Sequence, residues 1–118
     1  MDRTEGQGDI EIELDIFSGR PNPTWTLSGE AAERLWSLLK GLEPAPPEEP
    51  PDLGYRGFLL LAPPQTVRAY SGVLALAMRS EEPAYYRDTG GIEDTLLGQA
   101  RELGYGEVID VFRRAADN

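Results

Sequence analysis

The chemistry open to this chain is narrowed first by two absences. Its 118 residues include no cysteine and no histidine. That removes disulfides, Cys/His zinc sites, and Cys–His or Ser–His–Asp nucleophile activation. What remains is carboxylates, arginines, hydroxyls, five tyrosines and one lysine, Lys40. Three groupings of these could act. In the first, Asp9, Glu11, Glu13 and Asp15 occupy alternate positions, which in a strand puts four carboxylates on one face. Their mutual repulsion needs offsetting charge from a neighbouring strand, and Arg56 and Arg68 are available for it. Alternate strand residues lie about 7 Å apart along a line, whereas Ca²⁺ wants convergent oxygens. No bound metal or other cofactor is therefore expected. The acidic row reads as a solvated face or as an interaction surface for a basic partner.

The second grouping lies in FSGRPNPTWTL, residues 17–27. Gly19 permits a positive φ, Pro21 and Pro23 fix their own, and each proline pushes the residue before it, Arg20 or Asn22, towards extended backbone. A guanidinium held out from so stiff a corner could grip a carboxylate or phosphate in bidentate fashion. The alternative is structural: Arg20 folds back on the acidic strand or stacks on Trp25, itself a core or rim residue. The structural role is the expectation. The third grouping is the tyrosines, at 55, 70, 85, 86 and 105, each near an arginine or an acid. With Arg68, residues such as Tyr55 and Tyr70 could line a pocket for a small anion, or stand as rim tyrosines with wet hydroxyls.

Composition limits the partners. A formal charge of −10 opposes nucleic acid and anionic membranes by repulsion. No window approaches the roughly 18 uninterrupted apolar residues of a membrane span. MDRTEGQGD at the start lacks the basic and apolar regions of a secretory signal. A cytoplasmic protein is expected.

The elements that would position these groups follow from periodicity. Ile10, Ile12, Leu14 and Ile16 alternate with the acids, the mark of a half-buried strand, and Thr24–Leu27 resumes the alternation after the corner. Ser28 suits an N-cap and Gly41 a C′ position, with Ala31, Ala32, Leu35, Leu38, Leu39 and Leu42 at helical spacing and Trp36 on the flank. EPAPPEEPPD, residues 43–52, reads as a proline-rich surface loop, and residues 1–8 as a flexible N-terminus. Strands are expected at Tyr55–Ala62 and Thr66–Ala77, with Gly72 as a mid-strand bulge or close approach. Residues 79–90 read as irregular. A helix follows, with Ile92, Leu96, Leu97, Ala100 and Leu103 inside, and residues 107–115 lean to a last helix. The expected fold is a single α+β domain over residues 1–118: an antiparallel or mixed sheet of about four strands, with two or three helices on one face.

SGRPNP-x-W at Ser18–Trp25, LGYRGF at Leu53–Phe58 and VRAYSG at Val67–Gly72 together resemble a family of short microbial proteins with no established activity. The likeness spans the strands from about residue 12 to 73 and, more faintly, the helix containing IEDTLL. It implies a shared fold and a special corner, and it brings no catalytic residues with it. The expected function is that of a non-catalytic acidic binding or accessory protein acting through protein–protein contact, immunity- or inhibitor-like in form. The alternative is a small-molecule enzyme using carboxylate or tyrosine acid–base chemistry.

Overall fold

A computed structural model describes residues 8–17, 19–78 and 81–117. Six strands and three helices follow in the order β1 (Ile10–Leu14), β2 (Thr24–Leu27), α1 (Gly29–Leu38), β3 (Phe58–Ala62), β4 (Gln65–Tyr70), β5 (Val73–Met78), β6 (Ala84–Arg87), α2 (Ile92–Glu102) and α3 (Gly106–Asp117). The strands form one sheet in the order β2-β1-β3-β4-β5-β6, antiparallel throughout. The α+β class holds, and so does the last helix. The sheet has six strands rather than about four. No helix among the described residues is long and apolar enough to cross a membrane.

Register sorts the side chains into two faces. Trp25, Ile12, Leu60, Val67 and Leu76 lie across from one another in one row, and Leu14, Phe58, Ala69 and Leu74 in the next. These rows join Ala32 and Leu35 of α1, the α2 stripe Ile92, Leu96, Leu97 and Ala100, and Ile109 of α3 in one core. Each fully buried Leu, Ile or Phe contributes about 1.5–3 kcal/mol through the apolar area it removes from water. The opposite, outer face carries Glu11, Glu13, Thr24, Thr26, Leu59, Leu61, Arg68, Ala75 and Ala77. Its apolar members are only partly buried and lie outside the core cluster.

The extra strands come from two departures. The segment expected as one strand, Thr66–Ala77, is a hairpin: Tyr70 pairs with Val73, and Ser71 and Gly72 between them take φ values of 57° and 81°. Positive φ at both central residues is the geometry of a two-residue type I′ turn, so Gly72 is a turn residue and not a bulge. A two-residue turn shifts the inward parity from Val67 and Ala69 to Leu74, while leaving the apparent alternation Val67, Ala69, Ser71, Val73 in the text of the chain. The second departure is β6, placed in the stretch read as irregular. It pairs with β5 on one side. On the other, Ala45 N–H donates to Tyr85 O at 3.0 Å and Arg87 N–H to Glu43 O at 2.8 Å. The proline-rich loop thus begins as a short cover over the β6 edge.

Smaller corrections concern burial and caps. Leu103, expected inside, is 53% exposed, because α2 ends before it at Glu102. Ala31 is exposed, Ser28 takes the N-cap position without a side-chain cap bond, and Leu39, not Gly41, closes α1. Residues 1–7 of the expected flexible N-terminus lie outside the described residues, as does Ser18 of the corner motif. Gly8, at the edge of that segment, is held: Trp36 Nε1–H donates to its carbonyl at 2.9 Å.

Candidate functional site

The segments singled out in the sequence meet at one end of the sheet, where β1 finishes. Asn22 closes the corner. Its Oδ1 accepts from the backbone N–H of Ile16 at 3.1 Å and of Phe17 at 2.7 Å, and its Nδ2 donates to Glu13 Oε2 at 2.8 Å and Asp15 Oδ1 at 3.4 Å. A short amide between two prolines can do this because the prolines hold the backbone extended and give up their own N–H groups. Gly19 has φ +85°, as the corner requires.

Asp15 is the hub. It is 8% exposed, and its Oδ2 accepts from Arg56 Nη1 at 2.7 Å and from Arg68 Nη1 at 2.8 Å. Arg68 Nη1 also donates to the Arg56 carbonyl, and Arg56 Nε to the Pro51 carbonyl, each at 2.7 Å. A carboxylate this buried needs paired charge and hydrogen bonds on both oxygens, and it has them. The four acids in and beside β1 therefore divide. Asp9 and Glu11 are exposed, Glu13 is half-buried and tied to Asn22, and Asp15 is a buried ion-pair centre. The sequence named Arg56 and Arg68 as the compensating charges, and these are the two that supply it.

Arg20 does not follow either expected path. It is exposed, and its guanidinium carbon lies 3.9 Å from the centroid of the Phe17 ring, a cation–π contact, rather than on Trp25 or the acidic strand. Trp25 is half-buried. Its indole N–H donates to Gln99 Oε1 at 2.9 Å, and its ring stacks with Tyr105 at 6.5 Å between centroids and meets Phe58 edge-on. The corner is thereby fastened to α2 and to the residue opening α3.

The tyrosines separate as well. Tyr55 and Tyr70 approach to 6.0 Å between ring centroids, whereas Tyr85 and Tyr86 are consecutive in β6 and face opposite ways. Tyr55 is buried, and its hydroxyl donates to Glu93 Oε2 at 2.6 Å. Glu93, 8% exposed, uses its other oxygen to accept from the Gly72 N–H at 3.1 Å. Asp88 completes the clamp: its N–H donates to Gly72 O at 2.9 Å, and its carboxylate accepts from the N–H groups of Ile92 and Glu93. The type I′ turn is thus bolted to the start of α2. Glu93 was not among the expected site residues. Its signal was an acid inside the apolar stripe Ile92, Leu96, Leu97, Ala100, a position that demands a buried partner.

Burial pushes the Tyr55 hydroxyl well above its ordinary value of 10.0, and the neighbouring Glu93 carboxylate adds to the rise by charge and by its hydrogen bond. The neutral phenol is the form the fold prefers, so its contribution is complete below pH 10 and declines as alkali ionises the unfolded chain. Wild type and Tyr55→Phe are expected to show the same phenolate absorbance gain between pH 9 and 11. Above pH 10, wild type should lose stability relative to the variant. A full extra tyrosine titrating in native wild type below pH 11 would contradict the buried geometry.

Chemically, both carboxylates are spent. Each oxygen of Asp15 and of Glu93 holds an intramolecular donor, and among the described residues no buried side-chain polar atom lacks a partner. Such a network positions backbone and does not present a poised acid or base. No protein-family model, curated protein or solved structure matches the chain.

Proposed function

We propose that this protein is a non-catalytic binding module that docks a basic protein through the outer face of β1 and β3. The observation that carries this reading is the composition of that face. Leu59, Leu61 and Ala77 lie partly exposed outside the core, flanked by exposed Glu11 and Thr66 and, at the β3–β4 turn, by exposed Pro63 and Pro64. Leu61, Pro63, Pro64 and Thr66 line an open depression of about 450 Å³ there. Apolar side chains next to the exposed Glu11 carboxylate suit a partner that offers both an apolar anchor and positive charge. The chain's charge of −10 would steer such a partner. The enzymatic alternative has less support, since Asp15, Glu93 and Tyr55 are all engaged within the fold.

The test is capture from the native host with wild type as bait, followed by kinetics with the purified partner. Leu61→Asp is expected to weaken binding at least about tenfold, and Glu11→Gln to slow association severalfold. Raising salt to about 0.5 M should erase the latter difference, because steering is screened within a few ångströms there. Glu11→Gln lies on the exposed surface and should change stability by no more than about 1 kcal/mol. Leu61, by contrast, is partly buried and directly across from Glu11, so the fold of Leu61→Asp is checked by circular dichroism before binding is compared. A partner that binds both variants as tightly as wild type refutes the proposal.

A further inference from the structure

The chain treats the two edges of its sheet differently. The β6 edge is covered by backbone bonds from Glu43 and Ala45. The β2 edge has no such cover: among the described residues β2 pairs with β1 alone. The register says which groups this leaves open. Leu14 N–H donates to Pro23 O at 3.0 Å, so Leu14 and Pro23 form a bonded pair. Ile12–Trp25 and Ile10–Leu27 are then the next bonded pairs in the ladder. Thr24 and Thr26 fall between them, and each aims its N–H and C=O away from β1. Four backbone groups in a row therefore face outward, on a strand without a charged side chain in a chain of net charge −10.

We infer that β2 is a docking edge for an extended segment of the partner, one that alternates basic and apolar residues and extends the sheet to seven strands. The inference rests on the acidic-binding reading above and adds a backbone contact at the sheet edge beside that face. Charge complementarity chooses the occupant. Thr24 and Thr26 lie directly across from Glu13 and Glu11 on the outer face, and both threonines are exposed. A Lys or Arg opposite either threonine stands two strand spacings, about 10 Å, from the glutamate backbone. Two extended side chains can meet over the short threonine between them. The intervening residues of the added strand would turn to the other face, where Trp25 offers a half-buried indole. Alternation on the partner follows from alternation on β1 and β2, as in other strand-addition complexes. A second copy of this chain is disfavoured because it would bring its own acidic β1 row to the same edge.

The probe is a capped Val-Lys-Val-Lys-Val-Lys-Val peptide, with a Pro-Lys-Pro-Lys-Pro-Lys-Pro peptide of equal charge that cannot pair as a strand. Binding of the first is expected to slow hydrogen exchange at the Thr24 and Thr26 amides at least tenfold. Affinity for it should exceed that for the proline peptide at least tenfold. Thr26→Pro removes an outward donor without touching the β1 ladder and should reduce that affinity to the level of the proline peptide, with circular dichroism checking its fold. The exchange measurement on wild type stands independently should this variant unfold. Binding of the strand-forming peptide without protection of Thr24 and Thr26, or equal binding of both peptides, overturns the edge while leaving an acidic docking surface in place. A dimer of the protein alone that Thr26→Pro dissolves overturns the choice of occupant. No binding of either peptide at millimolar concentration overturns the edge and counts against the basic partner as well.

Discussion

Gly57→Ala is expected to cost roughly 2–5 kcal/mol, a large share of the 5–15 kcal/mol that stabilises a typical domain. Two effects add. Gly57 takes φ +88°, a conformation that any side chain disfavours. A Cβ placed there would also collide with the Ala69 carbonyl oxygen and lie 2.9 Å from Tyr70 Cβ. The approach is tight because two consecutive residues bond the same partner: Asp15 N–H donates to Gly57 O at 3.0 Å, while Arg56 N–H donates to Asp15 O at 2.9 Å. The backbone is bent there to bring the Arg56 side chain onto Asp15, and β4 sits against the bend. Gly19→Ala is the control. Gly19 has a similar φ of +85° with nothing within 4 Å of its Cβ position, so it should lose only about 1 kcal/mol from strain. Urea midpoints of the two variants separate collision from strain, and equal losses would refute the close approach.

The second large effect is at Asp15. Asp15→Asn is expected to destabilise by about 2–4 kcal/mol, since removing one member of a buried ion pair strands the charges left behind. The figure sits below the upper range for such pairs because Arg56 and Arg68 keep 32% and 23% of their side-chain surface in water. Glu11→Gln, four residues earlier in the same alternation, should change stability by no more than about 1 kcal/mol. The two substitutions remove the same charge from two positions of one row, so chemical denaturation of the pair measures burial directly. Equal stabilities would mean that Asp15 is not a hub.

That contrast shows where reading the chain alone stops. The period of two in residues 9–16 placed β1 and its buried Ile10, Ile12 and Leu14, because alternation on a pleated strand is a local property. The same period made Asp15 one of four equivalent acids. Its fate depends on Arg56 and Arg68, 41 and 53 residues away, and nothing local distinguishes it from Glu11. Asn22 is an intermediate case. Its place between two prolines marked a rigid corner, yet the four bonds it makes emerge only when β1 and β2 lie side by side.

Turns and edges escaped for a related reason. Ser71-Gly72 reads equally as a bulge within one strand or as a two-residue turn between two, since both leave a plausible alternation behind. Pairing of β4 with β5, and the clamp of Glu93 and Asp88 on Gly72, select the turn. β6, AYYR, carries no apolar–polar alternation in its four residues, and becomes a strand by accepting partners from β5 and from Glu43–Ala45. Amino-acid types alone excluded thiol and imidazole chemistry and fixed the acidic balance. Their spacing pointed to the α+β class, the stiff corner and the helices opening at Gly29 and Ile92, and only leaned to the helix that packing settles at Gly106–Asp117. Packing assigned what those could not: which carboxylates are buried, where the Arg20 guanidinium rests, and which edge of the sheet stays open. Periodicity records a residue's own backbone, whereas burial and charge compensation belong to pairs that folding brings together from distant parts of the chain.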